Sequence, residues 1–191
     1  MAPPYGLKDF AADAERELAG GAGALGRLKP LLQRLVQGEG SIPAAAFLPR
    51  KDRFAMNLLH LPQDKSFSII GGVWTPGQTT PIHDHLTWAM VGVYEGKERE
   101  ALFRRMDDGK VPGRASLELV SEKDNEKGNV TVLGEAGIHR VDNPFPGHAY
   151  SIHVYGRDIG PTKRHSYDPE TGEVSKFVSG YCNVLRDEDI F

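Results

Sequence analysis

From Phe54 onward the chain is cut into short apolar or alternating runs by turn chemistry, and this constrains its fold more than any other feature. The runs "FAMNLLHL", "FSIIGGVW", "WAMVGVYEG", "EALFRRM", "ASLELV", "NVTVL", "AYSIHVYG" and "VSKFVSGYCNVL" are separated by "PQDK", "TPGQTTP", "DDGKVPG", "EKDNEKGN", "NPFPG" and "YDPETGE". Regularly spaced short strands of this kind close into a β-sandwich or barrel, because each strand must bury one face.

The residues ahead of the strands read differently. Leu7, Phe10, Ala11 and Ala14 form one helical stripe and Leu28, Leu31, Leu32 and Leu35 another, broken by "GGAG" at 20–23. Pro30 is expected near the start of the second helix, where a missing N–H costs least. The expected organisation is a helical segment, 1–43, followed by a barrel domain, 44–191, forming one structural unit. The expected fold is mainly β, with the helices packed outside the barrel.

Composition removes several function classes. In 191 residues the hydrophobic share is 39%, the charged share 26% and the formal net charge -3, with both signs interspersed. No basic footprint for nucleic acid or membrane is present. No apolar run approaches the ~20 residues needed to span a bilayer. The N-terminus lacks the pattern of a secretory signal, and the single Cys182 cannot form an internal disulfide. The expectation is a cytoplasmic protein acting on small molecules, with no nucleic-acid or membrane partner, as a monomer or small homo-oligomer.

"TPIHDHLTW" places His83 and His85 at alternate positions of a strand-like run, so both face the same way. Two imidazoles are too few to hold a metal. The expected third ligand is His139 in "GEAGIHRVDN", on a neighbouring strand.

These segments resemble the two motifs of the cupin family, G-x5-H-x-H-x3-E-x6-G and G-x5-P-x-G-x2-H-x3-N. The first runs Gly77, His83, His85, Ala89 in the glutamate slot, and Gly96. The second runs Gly128, Gly134 and Ala136 in the proline and glycine slots, His139 and Asn143. The resemblance implies a double-stranded β-helix, or jelly-roll, barrel. With Ala89 in the glutamate slot, three neutral imidazoles leave a divalent cation its full charge and open positions. Zinc with water would satisfy the same ligands, and iron(II) beside a thiolate suits them as well.

Over about residues 50–182 the chain is more closely similar to one cupin branch, the thiol dioxygenases. "IHDHLTW" and "GIHRVDN" are similar to that family's metal-binding segments, and "SIHVYG" to its serine-histidine-tyrosine segment. The resemblance implies Fe(2+) on His83, His85 and His139, with Ser151, His153 and Tyr155 as a relay whose hydroxyl reaches the metal. Their alternate spacing puts all three on one strand face. Trp74 is also matched and is expected to line the pocket wall.

The far end of the substrate separates members of the family. Phe54 and Met56 occupy the places of the tyrosine and arginine of mammalian-type cysteine dioxygenases, and Ala89 the place of their crosslinked cysteine. Arg164, nine residues after Tyr155, matches the carboxylate-binding arginine of 3-mercaptopropionate dioxygenases, which usually pair it with a glutamine where this chain has Met56. The implied activity is oxidation of a small thiol to its sulfinate by O2, with a mercapto acid such as 3-mercaptopropionate as substrate. Cysteine, mercaptosuccinate and ergothioneine are alternative thiols, and a non-catalytic binding cupin is the alternative class. His60 and His148 are expected to be ordinary surface or packing residues and Cys182 a small buried one. Arg140 and Asp142 flank His139, and His165, next to Arg164, is not expected to reach the pocket.

Overall fold

Helices α1 (Leu7–Ala19) and α2 (Ala24–Gln37) form over the two apolar stripes. They belong to a computed structural model that describes residues 5–183. The Asp9 carboxylate accepts the Gly6 N–H and caps α1. Glu17 and Arg27, 2.8 Å apart, tie the two helices together. Pro30 departs from expectation, lying inside α2 rather than in its first turn. An interior proline costs about 3 kcal/mol. Leu28, Leu32, Leu35 and Val36, all fully buried on this helix, contribute about 1.5–3 kcal/mol each and outweigh it.

The strands are β1 (Ala55–His60), β2 (Ser68–Trp74), β3 (Ile82–Asp84), β4 (Ala89–Glu95), β5 (Lys97–Arg105), β6 (Leu117–Glu126), β7 (Val130–Leu133), β8 (Ile138–Asp142), β9 (Ala149–Tyr155), β10 (Arg164–Tyr167) and β11 (Val174–Phe177). They form two antiparallel sheets, ordered β1-β2-β9-β4-β7 and β11-β10-β3-β8-β5-β6. The mainly β fold with helices outside is therefore as expected. Strand β2, buried along its whole length, lies between a helix-covered outer face and the barrel interior. Two of its glycines admit close neighbours, and Gly92 of β4 does the same for α2. A Cβ at Gly92 would sit 3.1 Å from Leu32 Cγ and 3.0 Å from Val36 Cγ1. No helix among the described residues is long and apolar enough to cross a membrane.

Three segments differ from the reading of the sequence. Residues 164–167 form β10 rather than a loop, paired to both β3 and β11. Strand β6 continues to Glu126 through a polar stretch expected to turn earlier, because its exposed face pairs charges with β5. The last apolar run is strand only to Phe177. Beyond it, residues 178–183 form a strap from the edge strand β11 to the other sheet's edge strand, β1. The Cys182 N–H donates to Met56 O at 2.8 Å, and the Asn183 side chain bonds both backbone groups of Leu58. Cys182 is thus half-buried against β1, where the Met56 N–H approaches its sulfur, rather than enclosed in the core.

Gly96 joins β4 to β5 with φ 76°. A Cβ there would lie 2.3 Å from the His148 carbonyl oxygen, so the turn admits only glycine. Asn143 fastens the loop before β9 to β2, donating to the carbonyls of Trp74 and Gly147.

Candidate metal centre

The β3–β8 register sets His83 directly opposite His139, and His85 follows at the end of β3. All three are buried. Their Nε2 atoms converge: 3.2 Å separates His83 from His85, and 3.3 Å separates His85 from His139. Nitrogens about 2.1 Å from one ion stand about 3.0–3.4 Å apart where they are neighbours, and these two separations match that, with all three ligand atoms within 4.8 Å of one another. The other ring nitrogens settle which atoms face inward. His83 Nδ1–H donates to Pro81 O at 2.9 Å, and His139 Nδ1–H donates to Glu100 Oε1 at 2.9 Å. Each Nε2 is thereby left as a lone pair aimed at its neighbours, an arrangement that a cation relieves. His85 Nδ1 has no partner among the described residues.

Burial first, and then the neighbouring imidazoles and Arg164, hold His83 and His85 well below the usual histidine range. Both are therefore neutral, as ligands must be. Burial pushes the Glu100 carboxyl up, but its bond to His139 prevails and the net direction is down. The carboxylate stays ionised, orients His139 and adds basicity to it.

Sheet one supplies the facing wall. Tyr155, His153 and Ser151 on β9 all point inward and are bonded in series. Tyr155 Oη lies 2.9 Å from His153 Nδ1, and His153 Nε2 lies 2.8 Å from Ser151 Oγ. The Tyr155 ring meets the His85 ring edge-on at 5.0 Å. Ala89 pairs with Tyr155 across β4 and β9, so the position where many cupins carry a glutamate is left small beside the tyrosine. Burial keeps His153 neutral, lowering it to about 3, and raises the Tyr155 phenol to about 12.

Trp74 is 1% exposed and does not line an opening. Its ring stacks on His153 at 5.4 Å and on Phe54 at 5.2 Å, holding the histidine from behind. Gly72, opposite Ser151, makes room for the series. A Cβ there would come within 3.0 Å of His153 Nε2 and 3.1 Å of Ser151 Oγ.

Arg164 begins β10 and points into the barrel, 2% exposed. Its guanidinium lies 4.7 Å over the Phe177 ring, and Nη2 donates to Ser179 Oγ at 2.7 Å. Its Nε has no partner, and no carboxylate lies within ion-pairing distance among the described residues. Burial lowers its pKa, while Tyr155 and Asp84 act in the other direction. A buried guanidinium lacking a carboxylate is an uncompensated charge that an anionic ligand would satisfy.

A cavity of ≈ 190 Å³ lies next to Phe177 and Ser179, which contact Arg164, and is also lined by Phe54, Met56 and Pro81; Arg164, Tyr155 and the three histidines do not line it. Met56 packs against Tyr155 on one side and the strap on the other. A larger outer groove, ≈ 790 Å³, runs past Thr80, Arg140 and Tyr167, and none of the three histidines lines it.

Residues 47–168 match the family of cysteine dioxygenase type I. The chain belongs to that family. The match covers well over half of the chain, including every histidine of the centre and the whole serine-histidine-tyrosine series. It places this cysteine dioxygenase family member among the cupin-type thiol dioxygenases, and the two-sheet barrel is the cupin form. Among solved structures, the chain is similar to a Klebsiella pneumoniae protein with a double-stranded β-helix domain. That likeness has 11% identity and a TM-score of 0.47, covering 59% of this chain and 80% of the other. It is also similar to an RmlC-like cupin of Methanocaldococcus jannaschii, with 12% identity, a TM-score of 0.42, and 58% and 88% covered. An oxalate oxidase in complex with the substrate analogue glycolate shares 18% identity and a TM-score of 0.46, with 56% and 53% covered. The family assignment rests on none of the three.

In this family member Tyr155 thus stands against His85, Arg164 lies over Phe177, whose ring also meets that of His83, and Met56 packs with Tyr155. His153 and Ser151 stand behind the tyrosine, and Trp74 stands behind His153. His165 does not join this group. It turns outward, 2.8 Å from Asp84, which Tyr167 also bonds. Arg140 pairs with Asp142 and Glu122 on the surface. Reading the sequence missed Glu98 and Glu100. The available signal was "KEREA", where two carboxylates share the inward phase of β5 with Leu102.

Proposed function

We propose that the protein is a non-haem iron(II) thiol dioxygenase that converts a small mercapto acid, such as 3-mercaptopropionate, to its sulfinate. The observation that carries the reading is the buried Arg164, with no carboxylate partner among the described residues, beside three convergent imidazoles. One end of the site suits a carboxylate and the other a metal with a thiolate. When bound by His83, His85 and His139, iron(II) supplies a Lewis-acidic and redox-active centre for the thiolate and dioxygen.

The chain's own residues do the remaining work. Arg164 takes the carboxylate in a bidentate grip, which fixes where the sulfur sits. Phe177 and Met56 exclude water from the path between the two ends. The Tyr155 phenol, kept protonated by burial, has its ring against His85, and His153 and Ser151 hold its orientation through the bonded series. The overall reaction balances as thiol plus O2 giving sulfinate plus one proton. Sulfur loses four electrons, dioxygen accepts them, and both oxygen atoms end on sulfur.

The lining favours a mercapto acid over cysteine. The cavity at the Met56 end is lined by Phe54, Met56, Pro81, Phe177 and Val178, by Thr79, Ser179 and Cys182, and by Arg53 at its exposed edge, with no carboxylate among the described residues. An α-ammonium group there would lose hydration beside like charge and find no counter-ion. The test is anaerobic loading with iron(II), followed by oxygen uptake against 3-mercaptopropionate, mercaptosuccinate, cysteine, ergothioneine and cysteamine. One O2 consumed per sulfinate formed, identified by mass, with mercapto acids preferred, is the expected result. Cysteamine as the best substrate would remove Arg164 from its role. No uptake with any thiol at full iron loading would overturn the activity.

A further inference from the structure

Strand β10 carries Arg164 but does not by itself hold the guanidinium. Two contacts from the neighbouring chain do. Phe177, the cross-strand partner of Arg164 on β11, lays its ring 4.7 Å from the guanidinium carbon. Ser179, two residues further on and already in the strap, accepts from Nη2 at 2.7 Å. Both residues also line the cavity beside Met56. The two contacts differ in kind. An aromatic face fixes the plane of a guanidinium, and a hydrogen bond fixes its rotation within that plane. Nε is left without a partner among the described residues.

Ser179 is itself held by groups from other elements. The Gly180 N–H donates to Gly160 O at 3.1 Å, and the Tyr181 hydroxyl donates to Asp158 Oδ1 at 2.6 Å. The Tyr181 ring lies so close to Gly160 that a Cβ there would come within 2.4 Å of it. Residues 158 and 160 belong to the connection between β9 and β10. The far end of the strap is fastened to β1 through Cys182 and Asn183. The direction of the Arg164 donors is therefore set by a segment docked on the opposite sheet's edge and on the loop ahead of β10.

We propose that Ser179 is a positioning residue that couples docking of the strap to capture of a carboxylate by Arg164. A bidentate grip needs the donor fork aligned before the ligand arrives, and a long side chain with its rotation unrestrained loses that advantage. The coupling is reciprocal. Whatever factor the docked strap adds to carboxylate binding, a bound carboxylate adds to docking of the strap.

The inference rests on the proposed function for the identity of the carboxylate, and its first readout needs no turnover. In full-length, iron(II)-loaded protein kept anaerobic, amide hydrogen exchange of the 178–183 segment is followed with and without propionate, a carboxylate that lacks a thiol. Propionate should slow exchange at Gly180 and Cys182 in the wild type and in Ser179→Thr, which keeps the hydroxyl. It should not do so in Ser179→Ala or Arg164→Gln. In turnover, the ratio of kcat/KM for 3-mercaptopropionate to that for cysteamine should fall about 10-fold in Ser179→Ala, the size of one hydrogen bond to a charged group. Ser179→Thr should restore it. Tyr181→Phe cuts the strap from Asp158 without touching Arg164, should lower the same ratio, and carries the test if Ser179→Ala does not fold. Equal slowing by propionate in the wild type and Ser179→Ala, no slowing in the wild type, or an unchanged ratio in Ser179→Ala would overturn the proposal. Slowing that depends on Ser179, in a protein that oxidises no thiol, would leave this inference standing and remove the dioxygenase.

Discussion

Arg164 and Glu100 show how single residues divide the work at this centre. Arg164 faces no carboxylate among the described residues, and in the proposed function its partner is the carboxylate of the substrate. Replacing it with Gln should remove a charge-assisted pair of about 1.5–3 kcal/mol, roughly 10- to 150-fold in kcat/KM for a mercapto acid. Turnover of cysteamine, which has no carboxylate, should change little. Steady-state oxygen uptake on both thiols separates the two effects. Glu100→Gln should leave His139 in place but weaken its orientation and basicity, lowering metal affinity by about 10- to 100-fold. Competitive metal titration against a chelator measures it. The convergence of His83, His85 and His139 and the shared face of Ser151, His153 and Tyr155 were legible in the sequence, because alternate spacing on a strand already places side chains on one face. Glu100 was not, since an acidic residue in a charged stretch reads as solvated surface until the β5–β8 register sets it against His139.

At the scale of elements, the legible parts are those where burial and local pattern agree. Strands β2, β4 and β9 carry continuous apolar runs and are found where the pattern puts them. Strand β10, "RHSY", has no apolar alternation. It is a strand because Asp84, between two histidines of the centre, accepts from the His165 backbone and the Tyr167 hydroxyl. That contact is nonlocal and leaves no mark on residues 164–167 themselves. Helix α2 tells the same story in reverse, since its interior Pro30 is a local break overruled by packing on β4. Leu32, fully buried between that helix and Gly92, is therefore a sensitive position. Leu32→Ala should cost about 2–5 kcal/mol through the cavity it leaves. Denaturant titration should show the lower midpoint with an unchanged slope, and iron binding under native conditions should persist because α2 lies outside the barrel.

For the molecule as a whole, the buried groups of the site make stability depend on pH in two opposing ways. His153 is held at about 3 in the folded protein, against about 6.5 when unfolded. Below pH 6.5 the unfolded chain binds a proton that the folded chain refuses, so stability falls on acidification until about pH 3. Glu98 works with the other sign. Its folded value of about 8 exceeds the unfolded 4.5, so its stabilising difference is fully present below pH 4.5 and is lost as pH rises through 8. Glutamine at position 98 has no proton to lose. The stability of Glu98→Gln minus that of the wild type should therefore grow by about 1.4 kcal/mol per pH unit between pH 4.5 and 8, then level off. Taking the difference cancels His83, His85 and His153, which are common to both proteins. Urea unfolding of the two proteins with metal chelated, at intervals from pH 5 to 9, measures this directly. Parallel stability curves would mean that Glu98 is already ionised in the folded protein, and the barrel interior would then carry two negative charges on β5 rather than one.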